Sequence, residues 1–222
     1  MVVQLPIYCD MNRNVKWGDD EVDIEIKKLT PDLAEAYARF FDTTTHDDRT
    51  DKAALPCYCV TWRGDDSYRG DGDHWYATRE ERRKRAISFI KEGSLQGYLA
   101  YRGDEIVGWC NANASCQLCL SYLRSFWPID AFRPDIHVKS EFCFMIAPEV
   151  QRMGVATKLL ERVCQDAARE GFQFVEAYAY RDFAAEPFDF RGPMAMYEKC
   201  GFSIHAEREG KVVMRKAMNQ DV

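Results

Sequence analysis

FCFMIAPEVQRMGVATKLLERVCQDAAREG, residues 142–171, carries a strand, a turn and a helix in one run. Its first part closes the apolar stretch VKSEFCFMI (138–146), whose length and β-branched and aromatic content predict a strand. Its last part places Val155, Leu159, Leu160, Val163, Cys164, Ala167 and Ala168 at helical spacing, with Gly171 as the stop. Between them lies APEVQRMG. A turn that feeds a helix leaves several backbone N–H groups without intrahelical partners, with the positive end of the helix dipole behind them. Such a junction can seat a pyrophosphate. Gly154 lets the backbone approach closely, and Ala156 nearly as well. An ordinary tight turn would use the same residues.

Reading outward, FQFVEAYAY (172–180) predicts a strand, a short helix follows over 192–199 and stops at Gly201, and SIHAE with KVVMRK form a closing hairpin. Upstream, QGYLAYR, a Gly-Asp turn and EIVGWCNAN read as another hairpin. Thr78 through Glu81 has capping-box spacing and opens a helix to Glu92. IEIKKL (24–29) alternates as a first strand, and Thr30-Pro31-Asp32 opens a helix with a hydroxyl cap. Residues 43–78 form a long turn-rich loop around a strand-like centre, ALPCYCVTW, a candidate for substrate selection. Residues 114–137 are irregular and aromatic, and 1–22 read as an arm ahead of one domain over 23–222. This order predicts an α+β fold, a mixed sheet with helices packed on it.

Composition narrows the function. The 222 residues are 46% apolar, enough for a full core, and the net charge of −6 disfavours a nucleic-acid groove and leans toward cationic substrates such as amines. No basic leader precedes an apolar run, and no window approaches the ~18 consecutive apolar residues of a membrane span. Nine scattered cysteines fit a reducing compartment, so a cytoplasmic location without membrane partners is expected. Oligomeric state is open, a homodimer included.

Gln151-Arg152-Met153-Gly154-Val155-Ala156 resembles the Q/R-x-x-G-x-G/A signature of the GNAT acyltransferases, on the strand-to-helix junction where that family carries it. Phe144-Met145-Ile146 followed by Ala-Pro-Glu is a common family spelling, and MYEKCGF (196–202) resembles the closing Y-E-K-x-G-F. The whole pattern is similar to an uncharacterised bacterial subgroup. The resemblance covers about residues 24–217. It implies a layered α/β/α arrangement whose mostly antiparallel sheet splays at the cofactor strand. It also implies acetyl-CoA, or another short acyl-CoA, as co-substrate. Phe144, Met145 and Ile146 would contact the pantetheine arm and thioester through their backbone, and Gln151, Arg152, Met153, Gly154, Val155, Ala156 and Thr157 would hold the pyrophosphate.

The implied chemistry is direct attack of a primary amine, on a small molecule or peptide, at the thioester carbon. Tyr197 matches the family's acid for the departing thiolate, and it also reads as a half-buried aromatic of the last helix. Phe190 stands where the family often has Asn. Glu141 matches the base of the histone-acetylating branch, although strand alternation puts it opposite Phe144 and Ile146 unless a bulge intervenes. Glu176, Tyr178, Asp182, His137 and water are comparable bases. A non-catalytic acyl-CoA sensor on the same fold is the alternative. Cys57, Cys59, Cys116 and Cys119 could hold zinc, but their apolar neighbours favour buried free thiols, and Cys143 reads as a small core residue rather than a nucleophile.

Overall fold

The computed structural model describes residues 23–44, 56–60, 78–113, 136–182 and 190–218; the expected N-terminal arm lies outside them. In chain order come β1 (Glu25–Lys28), α1 (Ala34–Thr43), α2 (Arg79–Lys91), β2 (Gly97–Arg102), β3 (Glu105–Asn113), β4 (Val138–Ile146), α3 (Val155–Arg169), β5 (Phe174–Tyr180), α4 (Met194–Lys199), β6 (Ser203–Arg208) and β7 (Lys211–Ala217). The strands form one sheet in the order β1-β2-β3-β4-β5-β7-β6. β4 and β5 run parallel, and every other neighbouring pair is antiparallel. This is the α+β, helix-flanked arrangement expected from the sequence.

Each face of the sheet is covered by helices. On one face α3 buries Val155, Leu159, Leu160, Val163 and Ala167, each of the Val and Leu side chains contributing about 1.5–3 kcal/mol if fully removed from water. A Cβ added at Gly108 would meet Val155, Ala100 and Ile146, so these residues share the α3 face. On the other face the Tyr37 ring of α1 sits edge-on to Trp109 at 4.8 Å, and Phe41 stacks near Tyr58. α2 carries both halves of its predicted capping box, Thr78 accepting from the Glu81 N–H and Glu81 from the Thr78 N–H.

The central strand β4 is buried almost throughout, yet it carries Lys139, Ser140 and Glu141. Burying such groups is costly unless each finds a partner. Lys139 donates to Glu170 at 2.7 Å, Ser140 shares a hydrogen bond with the Tyr178 hydroxyl at 2.8 Å, and Glu141 meets Tyr197.

Two local expectations are corrected. Thr30 precedes a 3-10 turn at Pro31–Leu33 but makes no side-chain cap. Residues 56–60, the described part of the segment read as strand-like, form a turn because Tyr58 and Cys59 take φ of 46° and 53°, left-handed values no strand admits. The turn is pinned on the core by the Tyr37 hydroxyl, which donates to the Tyr58 carbonyl at 2.9 Å.

The feature that positions the site is a wedge-shaped gap. β4 and β5 pair only as far as Glu141↔Ala177. Beyond that, β4 stays with β3 to Ile146 and β5 stays with β7 to Tyr180. The sheet is splayed at the expected strand.

Candidate functional site

At the outer end of the gap, β4 turns into α3 through Ala147–Gly154. Arg152 and Gly154 are both left-handed, at φ 63° and 81°. An added Cβ at Gly154 would meet nothing within 4 Å, so glycine is required there for backbone conformation and not for room. The turn satisfies itself sparingly: the Gln151 N–H bonds Pro148 O and the Met153 N–H bonds Val150 O, and the first helical bond is Lys158 N–H to Gly154 O. The amides of Arg152, Gly154, Val155, Ala156 and Thr157 take no main-chain acceptor among the described residues. They cluster where the exposed turn at 151–154 enters the positive end of a 15-residue helix. Met153 is 43% exposed, while the Val155 side chain is buried, so Val155 offers only its amide.

The inner end is built differently. Ala147 donates its N–H to Val107 of β3. Backbone direction alternates along a strand, so the N–H and C=O of Ile146 and Phe144 point away from β3 into the gap. Met145 departs from expectation: it pairs with Trp109, its main chain points to β3, and its side chain lies on the α1 face, so it offers nothing to the gap. Two of the gap-facing groups are already engaged. The Phe144 N–H donates to the Phe190 carbonyl at 2.7 Å, and the Gln151 side-chain amide donates to the Ile146 carbonyl at 3.2 Å.

Glu141 and Tyr197 meet beside this end. β3 and β4 pair as Asn111↔Cys143 and then Ala112↔Glu141, so Phe142 is an extra residue in a β-bulge. The bulge resets the alternation and brings Glu141 to the face of Phe144 and Ile146. Tyr197, fully buried at the middle of α4, donates to the Glu141 carboxylate at 2.7 Å and contacts the Arg191 carbonyl as well. Burial, then the neighbouring Glu141, pushes the Tyr197 phenol well above its ordinary value, so it stays protonated across the neutral range. Arg191, itself buried, opposes that shift.

The remaining candidates lie elsewhere. His137 and Asp182 are exposed at the ends of β4 and β5. Glu176 is fully buried and paired to Arg215 at 2.7 Å, and Tyr178 bonds Ser140 and Glu176; both face away from Glu141, as alternation along β5 requires. Cys143 sits on the α1 face with its Sγ 2.9 Å from Cys59 Sγ. That contact and burial raise its thiol well above the usual value, the opposite of an activated nucleophile. Cys116 and Cys119 lie outside the described residues. A groove of about 540 Å³ runs between α1 and the β2–β3 hairpin and reaches the turn after β4 at Ala147, Pro148 and Glu149.

Sequence reading missed residues 190–192. Gly192 at φ 76° turns the chain into α4, and Phe190 and Arg191 present carbonyls to Phe144 and Tyr197. Main-chain carbonyls leave no side-chain signature; the Gly-Pro pair at 192–193 was the one available sign of a turn. For a coenzyme A, the outer end fits, with free amides where a pyrophosphate needs them. The inner end fits only if the Phe144 N–H is released.

Comparison with known proteins bears on the family and the fold. The family model described as "Acetyltransferase (GNAT) family" matches residues 59–202, more than half of the chain. None of the curated proteins matches the sequence. Among solved structures, a GNAT-family acetyltransferase from Streptococcus pneumoniae superposes at TM-score 0.50 with 18% identity, over 89% of this chain and 100% of its own. A Salmonella typhimurium protein solved with its cofactor acetyl-CoA gives 0.50 with 13% identity, over 89% and 95%. The ribosomal-protein-S5-alanine acetyltransferase from Vibrio fischeri gives 0.53 with 11% identity, over 88% and 93%. At these identities the superpositions speak for the fold, and the match to the family model adds the lineage: the chain belongs to the GNAT acetyltransferase family.

Proposed function

We propose that this protein transfers an acetyl or other short acyl group from acyl-CoA to a primary amine of a small molecule or peptide. The observation that carries the reading is the cluster of five amides, on Arg152, Gly154, Val155, Ala156 and Thr157, that take no main-chain acceptor among the described residues and stand beside a gap lined by the β4 main chain. Acyl-CoA would supply an activated thioester carbonyl and a thiolate leaving group. Gly154, Val155, Ala156 and Thr157 hold the pyrophosphate by their N–H groups, helped by the α3 dipole and flanked by Gln151, Arg152 and Met153. The β4 backbone at Phe144 and Ile146 aligns the pantetheine arm, and the Phe144 N–H polarises the carbonyl under attack.

In the transfer a C–N bond forms and the C–S bond breaks. Tyr197 gives its proton to the departing sulfur, and Glu141, 2.7 Å away, takes up the proton the amine loses and restores Tyr197. The net exchange is one proton from amine to thiol. Residues 43–78 are the candidate for acceptor selection, and their described 56–60 turn is held on α1 by the Tyr37 hydroxyl. The net charge of −6 suits a cationic acceptor, and among the described residues no helix is long and apolar enough to cross a bilayer.

The test is thiol release from acetyl-CoA with a panel of amines, beside calorimetry with CoA. Turnover with any amine is expected; no CoA heat and no thiol from any acceptor would end the reading. The second reading, an acyl-CoA sensor without turnover, draws on the Phe144–Phe190 hydrogen bond, which closes the thioester end. Tight CoA binding with no turnover on any amine would favour it.

A further inference from the structure

We propose that residues 190–192 are an internal strap that occupies the thioester end of the site, and that an incoming acyl group must displace it. This rests on the acyl-CoA reading above and concerns only how the inner end is gated. Three observations converge on it. The Phe190 carbonyl accepts the Phe144 N–H at 2.7 Å, the gap-facing donor a thioester carbonyl would need. The Arg191 carbonyl lies against the Tyr197 hydroxyl, the proton a departing sulfur would need. The strap is also built to stay: Arg191 is buried with its guanidinium over the rings of Phe190 and Tyr180, and Gly192 turns at φ 76° so close to Met196, Tyr197 and Phe144 that an added Cβ would lie 2.8 Å from Met196 Cε.

One N–H cannot serve two carbonyls. The strapped and acyl-bound states are therefore exclusive, and the apparent affinity for acyl-CoA is reduced by the fraction of molecules with the strap withdrawn. Withdrawal does two things together. It frees Phe144 to polarise a carbonyl, and it leaves Tyr197 bonded to Glu141 alone. The outer end is untouched, because none of its amides contacts 190–192.

The experiment compares two ligands on the full chain by calorimetry: acetyl-CoA, which spans both ends, and 3′-phospho-ADP, which stops at the pyrophosphate. Arg191→Ala loosens the strap and is expected to tighten acetyl-CoA about tenfold, the worth of roughly one net hydrogen bond, leaving 3′-phospho-ADP unchanged. Equal effects on both ligands, or weaker acetyl-CoA binding alone, overturn the strap. Hydrogen exchange on the unaltered protein decides the matter if the variant does not fold. Acetyl-CoA should speed exchange across 190–192 and 3′-phospho-ADP should not; protection of that segment by acetyl-CoA overturns the proposal. If neither ligand binds unaltered protein, the acyl-CoA reading itself falls.

Discussion

The two ends of the gap between β4 and β5 are built on opposite plans. At the outer end five backbone amides stand open, held in place by local geometry: a left-handed Arg152, a left-handed Gly154 and the first turn of α3. At the inner end the donors are covered by pieces of chain from elsewhere, Phe190 on Phe144 and Arg191 on Tyr197. One end holds its donors open by local geometry alone. The other is satisfied by its own chain, so under the proposed function an acyl group entering there would exchange partners. Electrostatic preorganisation favours fast chemistry, while an exchange costs affinity and gains control over when the site assembles.

The largest expected effect breaks the outer end. Gly154→Val forces a β-branched residue to φ 81° at a loop with no steric neighbour, so the cost is conformational and local. Acetyl-CoA and 3′-phospho-ADP should both weaken about 30-fold, roughly 2 kcal/mol, with an unchanged far-ultraviolet spectrum. Unequal losses would mean that the ends are not independent.

Tyr197→Phe probes the inner end. It removes the Tyr197 hydroxyl from the Glu141 carboxylate and the Arg191 carbonyl, so a stability loss of about 1–3 kcal/mol is expected in denaturant titration. In the enzyme, kcat should fall about 20-fold; in the sensor reading no turnover exists to lose. Because burial lifts the Tyr197 phenol well above its ordinary value, kcat/KM should show no ionisation of this group between pH 6 and 9. A limb in that range that vanishes in Tyr197→Phe would contradict the assignment.

Glu141→Gln keeps a hydrogen-bonding partner for Tyr197 and removes the proton acceptor. Turnover should drop about tenfold while 3′-phospho-ADP binding holds, which separates chemistry from folding. Unchanged turnover would pass the base role to water.

The smallest effect is expected at the far end of β4, where no ligand is proposed. Burial works against ionisation of Glu170, but Lys139 and Lys28 outweigh it and hold the carboxyl below its ordinary 4.5. A depressed carboxyl contributes stability above its unfolded value that is lost as pH falls through the folded one. Thermal stability should therefore decline below about pH 4.5, with a shallower decline in Glu170→Gln. An unaltered slope in the variant would show that the pair is too solvent-screened to matter.

Much of this was legible in the chain because the signals are local. The stripe Val155, Leu159, Leu160, Val163 is a property of helical period, the capping box of Thr78 and Glu81 one of spacing, and the left-handed Gly154 one of a missing Cβ. Glu141 was not legible in the same way. Strand alternation put it on the wrong face, and the extra residue Phe142, visible only against the register of β3, corrected it.

The sequence by itself determined the order of the main elements, an α+β sheet with helices packed on it and the glycine turn that opens α3, because periodicity, turn chemistry and helix starts are written in neighbouring residues. The splay at β4 followed only from the family resemblance. The tertiary structure alone decided the inner end: that Glu141 and Tyr197, 56 residues apart, share a hydrogen bond, and that the Phe190 carbonyl covers Phe144. Register and main-chain pairing between distant segments depend on how elements dock, and a backbone carbonyl is the same in every residue that carries it.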